Sequence, residues 1–162
     1  MIISDSACVT GIYITPVATD LPTAVAEVTA VRETGLEGDR YFLRRGTWSH
    51  WPGGGRQVTL IEAEVVEALQ QTMVITAAQL RRNILTRGVK LNDLVGVDFG
   101  VGEVVMRGVR RCEPCAHLEK LTVSGIALAL NDRGGLRADI LCGGMIRPGD
   151  KLKLIEATGR SV

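Results

Sequence analysis

The sequence predicts a mainly β, barrel-like α+β domain with a few short helices. Three observations carry this. Short alternating or β-branched stretches recur along the whole chain, and few stretches repeat at helical spacing. Glycine is abundant, with 19 residues in 162, which suits many tight turns between short strands. Hydrophobic residues make up 46% of the chain and aromatic residues only 4%, so a substantial core must be filled by aliphatic side chains. A chain of this length fits one domain spanning residues 1–162.

Val9–Ile14 reads as a first strand, β-branched and alternating. Ala24–Val31 alternates with both sets largely apolar, as expected of one strand covered on both faces. The glycines of Gly35-Leu36-Glu37-Gly38-Asp39-Arg40 bracket a turn, and a solvated ion pair is the simpler reading of Asp39 and Arg40 taken alone. Arg44–Arg56 is a long loop holding Trp48, Trp51, His50 and the run Gly53-Gly54-Gly55. Loops of this length in a compact domain are usually functional or disordered, and the tryptophans argue against disorder. No Gly-Lys-Ser/Thr follows, so the run is not a Walker loop.

Gln57–Ile61 is a strand. Thr59-x-x-Glu62 has capping-box spacing ahead of an amphipathic helix over Glu62–Gln71, with Ile61, Val65 and Leu69 four apart. Thr76-x-x-Gln79 repeats that spacing and opens a short helix through Arg81. Arg82–Gly88 reads as a strand, and Arg81, Arg82 and Arg87 make it either a solvated edge or an anion-binding lip. Leu91–Gly102 is turn-rich. Glu103–Arg110 is a strand, Val123–Leu130 a short helix, Gly134–Leu141 a turn and a strand, Gly143–Asp150 a tight turn and Lys151–Ile155 a last strand. Residues 158–162 are expected to fray.

The formal net charge of +1 argues against a general nucleic-acid binder, which carries a basic excess. Four cysteines in a chain this long are not a disulfide framework. The first residues lack a basic region followed by an apolar core, and no apolar run nears the ~20 residues that span a bilayer. A reducing cytoplasm and no membrane partner are expected.

The densest chemistry is Arg110-Arg111-Cys112-Glu113-Pro114-Cys115-Ala116-His117-Leu118. Cationic neighbours favour thiolates, which are soft metal ligands and strong nucleophiles. Pro114 stiffens the segment between the sulfurs and makes Cys115 the better-presented thiol. Three readings stay open. Structural zinc on Cys112, Cys115 and His117 lacks a second thiol pair, because Cys8 and Cys142 are isolated and read as buried apolar residues. A dithiol redox site lacks the usual βαβ context. A thiolate that binds a heavier metal or carries sulfur would need an anion pocket, if the metal comes on a phosphorylated cofactor; arginines near 40, 56, 82 and 110 are available.

Taken together, Gly35–Arg40, Arg56-Gln57-Val58-Thr59-Leu60-Ile61, Arg82-Asn83-Ile84, Arg111–Cys115, and Gly135-Leu136-Arg137-Ala138 leading to Ile146–Asp150 resemble the MOSC family, the domain found at the C-terminus of molybdenum cofactor sulfurases. The resemblance runs over nearly the whole chain. It implies a closed, barrel-like strand arrangement. It also implies a cysteine that ligates molybdenum or holds a persulfide, and Cys115 stands at that position. Cys112 is then an extra thiol that supports Cys115 or lines the pocket. Pterin-phosphate contacts carry over to Asp39, Arg40, Arg82 and Asn83, and more weakly to Arg56 and Thr59. His117 is either a group behind the metal ligand or a surface imidazole beside Glu119.

The resemblance implies molybdenum cofactor (molybdopterin) binding through the Cys115 thiolate. The activity would be reduction of N-hydroxylated compounds, with electrons from a separate donor protein, or handling of the cofactor for a molybdoenzyme. The alternative is a non-enzymatic sulfur carrier, loaded as a Cys115 persulfide by a cysteine desulfurase. The chain shows nothing that would host the pyridoxal-phosphate desulfurase domain of eukaryotic sulfurases, so no pyridoxal phosphate is expected in it. Nor does it show the extra N-terminal segment of amidoxime-reducing relatives. Substrate selection would then fall to the Arg44–Arg56 loop or a partner. Oligomeric state is not readable from the sequence.

Overall fold

The computed structural model describes residues 3–50, 53–114 and 116–155, with only the backbone of 116 and 117. Among these residues the strands are β1 (Ile3–Ile14), β2 (Thr23–Ala24), β3 (Val28–Val31), β4 (Gly35–Leu36), β5 (Val58–Glu62), β6 (Ile84–Val89), β7 (Asp98–Val101), β8 (Val104–Arg111), β9 (Leu136–Cys142), β10 (Gly144–Ile146) and β11 (Leu152–Leu154). The α-helices are α1 (Ala63–Leu69), α2 (Ala116–Leu121) and α3 (Ile126–Ala129), with 3-10 turns at Ala78–Leu80 and Leu91–Leu94. The tail expected to fray lies outside the described residues.

One sheet has eight strands in the order β11-β7-β8-β9-β5-β6-β1-β2, and a second has three, β10-β3-β4. Among the named strands the pairings are antiparallel except β5 with β6, where Leu60 sits opposite Ile84 in parallel register. A parallel pair needs a long crossover, and α1 and the Ala78–Leu80 turn lie within it.

Central β5 is covered on both faces. Val58 and Leu60 enter a core shared by the two sheets with Val28, Leu36, Phe99, Met106 and Ile146, while Ile61 faces a second cluster with Val65, Leu69, Leu80, Leu118 and Ile126. The period of two along a strand places successive residues on opposite faces, which fixes the register of β5.

The closed barrel expected from the sequence is not what forms. The sheets are mixed and open, in an α+β fold. Between β1 and the approach to β11 there is one bridge, Cys8 with Lys151, flanked by Val9 N–H to Asp150 O at 2.9 Å and Gly149 N–H to Val9 O at 2.7 Å. Closure needs a continuous ladder. Here β1 has a register break between Ile3 and Cys8, and β11 has only three residues. Four local expectations also change. The stretch Ala24–Val31 is two strands, because it crosses from β1 in one sheet to β10 in the other. The Thr59 box does not cap α1: Glu62 is the N-cap without a side-chain bond, and the Thr59 hydroxyl is engaged by Asn83. Leu91–Gly102 contains β7 as well as turns. Cys142 is exposed, because the β8–β9 register breaks beside Val105 and Cys142 ends its strand, and Cys8 on β1 is half-buried. The Thr76 box does form, with Thr76 N–H to Gln79 Oε1 at 2.8 Å and Gln79 N–H to Thr76 Oγ1 at 3.3 Å.

Candidate functional site

Asp39 and Arg40 follow β4 and turn inward. Asp39 is fully buried and accepts from Thr15 N–H (3.2 Å), Tyr41 N–H (3.3 Å) and Arg40 Nη1 (3.1 Å). The pair is therefore buried, not solvated, and the carboxylate aims a guanidinium that also lies 5.1 Å from the Tyr41 ring. Burial of a charge is tolerated only with such pairing.

Arg81 and Arg82 stand at the bend before β6. Arg81 ends the Ala78–Leu80 turn in the left-handed region (φ 61), and its guanidinium donates to the carbonyls of Ala18 and Asp20. Burial, then repulsion from Arg40, lowers its pKa to about 10. Arg82 donates through Nε to Gly134 O at 2.8 Å and through Nη1 to Leu80 O at 3.1 Å. Its Nη2 is buried and has no partner among the described residues. A buried, unsatisfied charged donor is rare in native proteins and marks a place for an acceptor.

Asn83 is buried and spent on the fold. Its Oδ1 accepts from Thr59 N–H (3.0 Å) and Thr59 Oγ1 (3.2 Å), and its Nδ2 donates to Tyr13 O at 3.1 Å. It staples β5, β6 and β1 beneath the two arginines.

A cleft of about 520 Å³, open to solvent, is lined by Ala18, Arg40, Tyr41, Thr47, Trp48, Thr59, Arg81, Arg82, Glu113, Pro114, Leu118 and Arg137. It gathers Arg40, Thr59 and Arg82 from the sequence-predicted set. Asp39 and Asn83 support it from behind. Arg56 lines a neighbouring cleft instead and donates to Gly53 O at 2.9 Å.

Cys112 is 1% exposed and is not among the lining residues; its N–H donates to Gly135 O at 2.7 Å. Cys115 lies outside the described residues. Pro114 and Leu118, on either side of it in the chain, both face the cleft. The backbone of His117 is in α2, and its side chain is outside the description. No group of three or more His, Cys, Asp or Glu suited to a metal occurs among the described residues.

Sequence reasoning assigned no role to Arg137, Trp48 or Tyr41. Arg137 pairs across the sheet with Thr59 on β5 and Arg110 on β8, so the three share one face. Burial, then Arg137 and Arg56, lowers the Arg110 pKa, and its Nη1 donates to Gly54 O at 2.6 Å.

The donor set fits the phosphate end of the molybdenum cofactor. Guanidiniums bind such oxyanions by forked, charge-assisted bonds, and Arg82 Nη2 offers the open position. No helix among the described residues is long and apolar enough to cross a membrane.

A model of the MOSC domain matches residues 47–153. Among solved structures, the YUAD protein from Bacillus subtilis superposes with a TM-score of 0.74 at 16% identity, covering 90% of this chain and 93% of that one. YiiM from Geobacillus stearothermophilus gives 0.67 at 18% identity, over 93% and 75% of the two chains. YiiM from Escherichia coli gives 0.64 at 19%, over 91% and 69%. At such identities the likeness speaks for the fold alone. No curated protein matches the sequence significantly. With the family's model covering more than half its length on this fold, the chain belongs to the MOSC domain family.

Proposed function

We propose that the cleft binds the molybdenum cofactor, with Arg82 and Arg40 taking its phosphate and the Cys115 thiolate ligating the metal, for reduction of N-hydroxylated compounds. The observation that carries this is Arg82, whose buried Nη2 has no partner among the described residues, in the wall of a cleft that Pro114 and Leu118 also line. When bound, the cofactor supplies a metal that changes oxidation state. The protein's own groups do the rest. Asp39 holds Arg40 in place, Arg81 ties the Ala18–Asp20 segment to the rim, and Trp48 and Leu118 narrow access for water. An N–OH group takes up two electrons and two protons, the N–O bond breaks and the oxygen leaves as water. The electrons come from a separate donor protein.

The test is metal analysis and pterin fluorescence on protein from a molybdate-fed host. We expect stoichiometric molybdenum in the wild type, lost in Cys115→Ser and reduced about tenfold or more in Arg82→Gln, the scale of one charge-assisted hydrogen bond. A metal-free protein with cyanide-releasable sulfur on Cys115 would overturn this reading in favour of a sulfur carrier.

A further inference from the structure

A second cleft lies beside the first and shares Tyr41 with it. Its empty space is about 660 Å³, open to solvent, and Glu33, Arg44, Ser49, Arg56 and Gln57 stand in its walls. Arg44 closes a single helical turn: its N–H donates to Tyr41 O at 3.2 Å, and Arg45 N–H donates to Arg40 O at 2.7 Å. That leaves Arg44 in the left-handed region at φ 58. Glycine or asparagine is the low-energy residue at such a terminus, so an arginine there points to a use for its side chain.

The charges around it sharpen the point. Most exposed guanidiniums of the molecule are neutralised within the chain: Arg32 by Glu33, Arg87 by Glu67, Arg107 by Asp98, Arg111 by Glu113 and Asp132, and Arg147 by Glu27. Arg44 is exposed, faces a cavity and has no ion pair or hydrogen bond from its guanidinium among the described residues. Glu33, the carboxylate in the same cleft, lies 3.8 Å from Arg32. Arg56 is held by its bond to Gly53 O. Ser49 Oγ accepts from Gly46 N–H at 2.8 Å, which leaves its own hydroxyl proton to donate. Two guanidiniums and a hydroxyl donor around one concavity suit an oxyanion.

We infer that this second cleft is an anion subsite, in which Arg44 and Arg56 take the phosphate or carboxylate end of the substrate whose N–OH group is presented in the first cleft. Its identity as a substrate subsite rests on the reductase reading above, but anion binding by Arg44 does not.

Inorganic phosphate is the probe, titrated calorimetrically at low ionic strength. In an Arg82→Gln background, which weakens the first cleft, phosphate still binds, and adding Arg44→Gln weakens that binding about tenfold or more, while Arg44→Lys recovers part of it. Phosphate binding indifferent to Arg44 would overturn the proposal. In cofactor-loaded wild-type protein the Arg44-dependent binding persists; its disappearance on loading would mean that the cofactor's own phosphate fills the second cleft, and would also overturn it. With loaded protein and two substrates, benzamidoxime and its para-carboxylated derivative, Arg44→Gln raises KM for the carboxylated one alone. Equal KM changes for both would count against the substrate role. A chain that never loads molybdenum defeats the reductase reading and the substrate assignment with it, and leaves the phosphate titrations to decide the subsite.

Discussion

The two clefts meet at Tyr41 and are built in opposite ways. The first is a product of the sheet: Thr59 on β5 and Arg137 on β9 are cross-strand partners, and Arg82 enters β6 with two backbone carbonyls fixing its guanidinium. The second is made of turns, with residues 33, 34, 41, 42, 44, 49, 53, 56 and 57 in its walls. Each cleft has an arginine in the left-handed region at the end of a helical turn, Arg81 in one and Arg44 in the other. Arg81 is buried and used as a clamp on Ala18 and Asp20; Arg44 is exposed and uncommitted. The two arginines thus share a backbone geometry and differ in what surrounds the guanidinium.

The harshest way to break the contrast is Gly135→Ala. Gly135 has φ +107, and a Cβ there would run into the carbonyl oxygen of Leu60 on β5. We expect a loss of about 4 kcal/mol or more in urea unfolding, with the first cleft lost. A milder pair sharpens it. Arg81→Gly relieves strain but forfeits two part-buried carbonyl contacts, and costs about 1–2 kcal/mol. Arg44→Gly relieves the same strain and forfeits nothing in the fold, and gains up to about 1 kcal/mol. Equal shifts in the two variants would show that the clefts do not differ as described.

The smallest effect comes from a control that lines neither cleft. Glu62, at the end of β5, accepts Leu91 N–H at 3.2 Å, and burial raises its carboxyl pKa above the ordinary value. Between the ordinary and the raised value the folded protein binds more protons than the unfolded chain. Stability from this group is therefore full at the low end of that window and declines as pH rises through it. Glu62→Gln flattens that slope, read from urea midpoints across the carboxylate range, and leaves phosphate binding unchanged.

Much of this was legible in residue order. The strand readings at β5, β6, β8 and β9 fall within a residue or two of the observed bounds, and the Thr76–Gln79 box was readable because both partners lie within one turn. The Thr59 box failed for a tertiary reason: the hydroxyl that would have capped α1 binds Asn83, 24 positions away. The ion pair of Asp39 and Arg40 looked solvated because nothing local reveals that Thr15 N–H will close over the carboxylate. Arg137 went unassigned because strand pairing, invisible in the linear chain, carries it to Thr59.

By itself the sequence determined the strand-rich composition, the family and the chemical groups available, because these depend on residue type and near-neighbour spacing. The tertiary structure decided that the sheets stay open, since closure depends on how β1 and β11 meet, and that Asn83 braces the fold and Arg82 keeps an open donor. Which guanidiniums are spent on the fold and which are left for a ligand is a property of long-range hydrogen bonding, and only the folded chain supplies those partners.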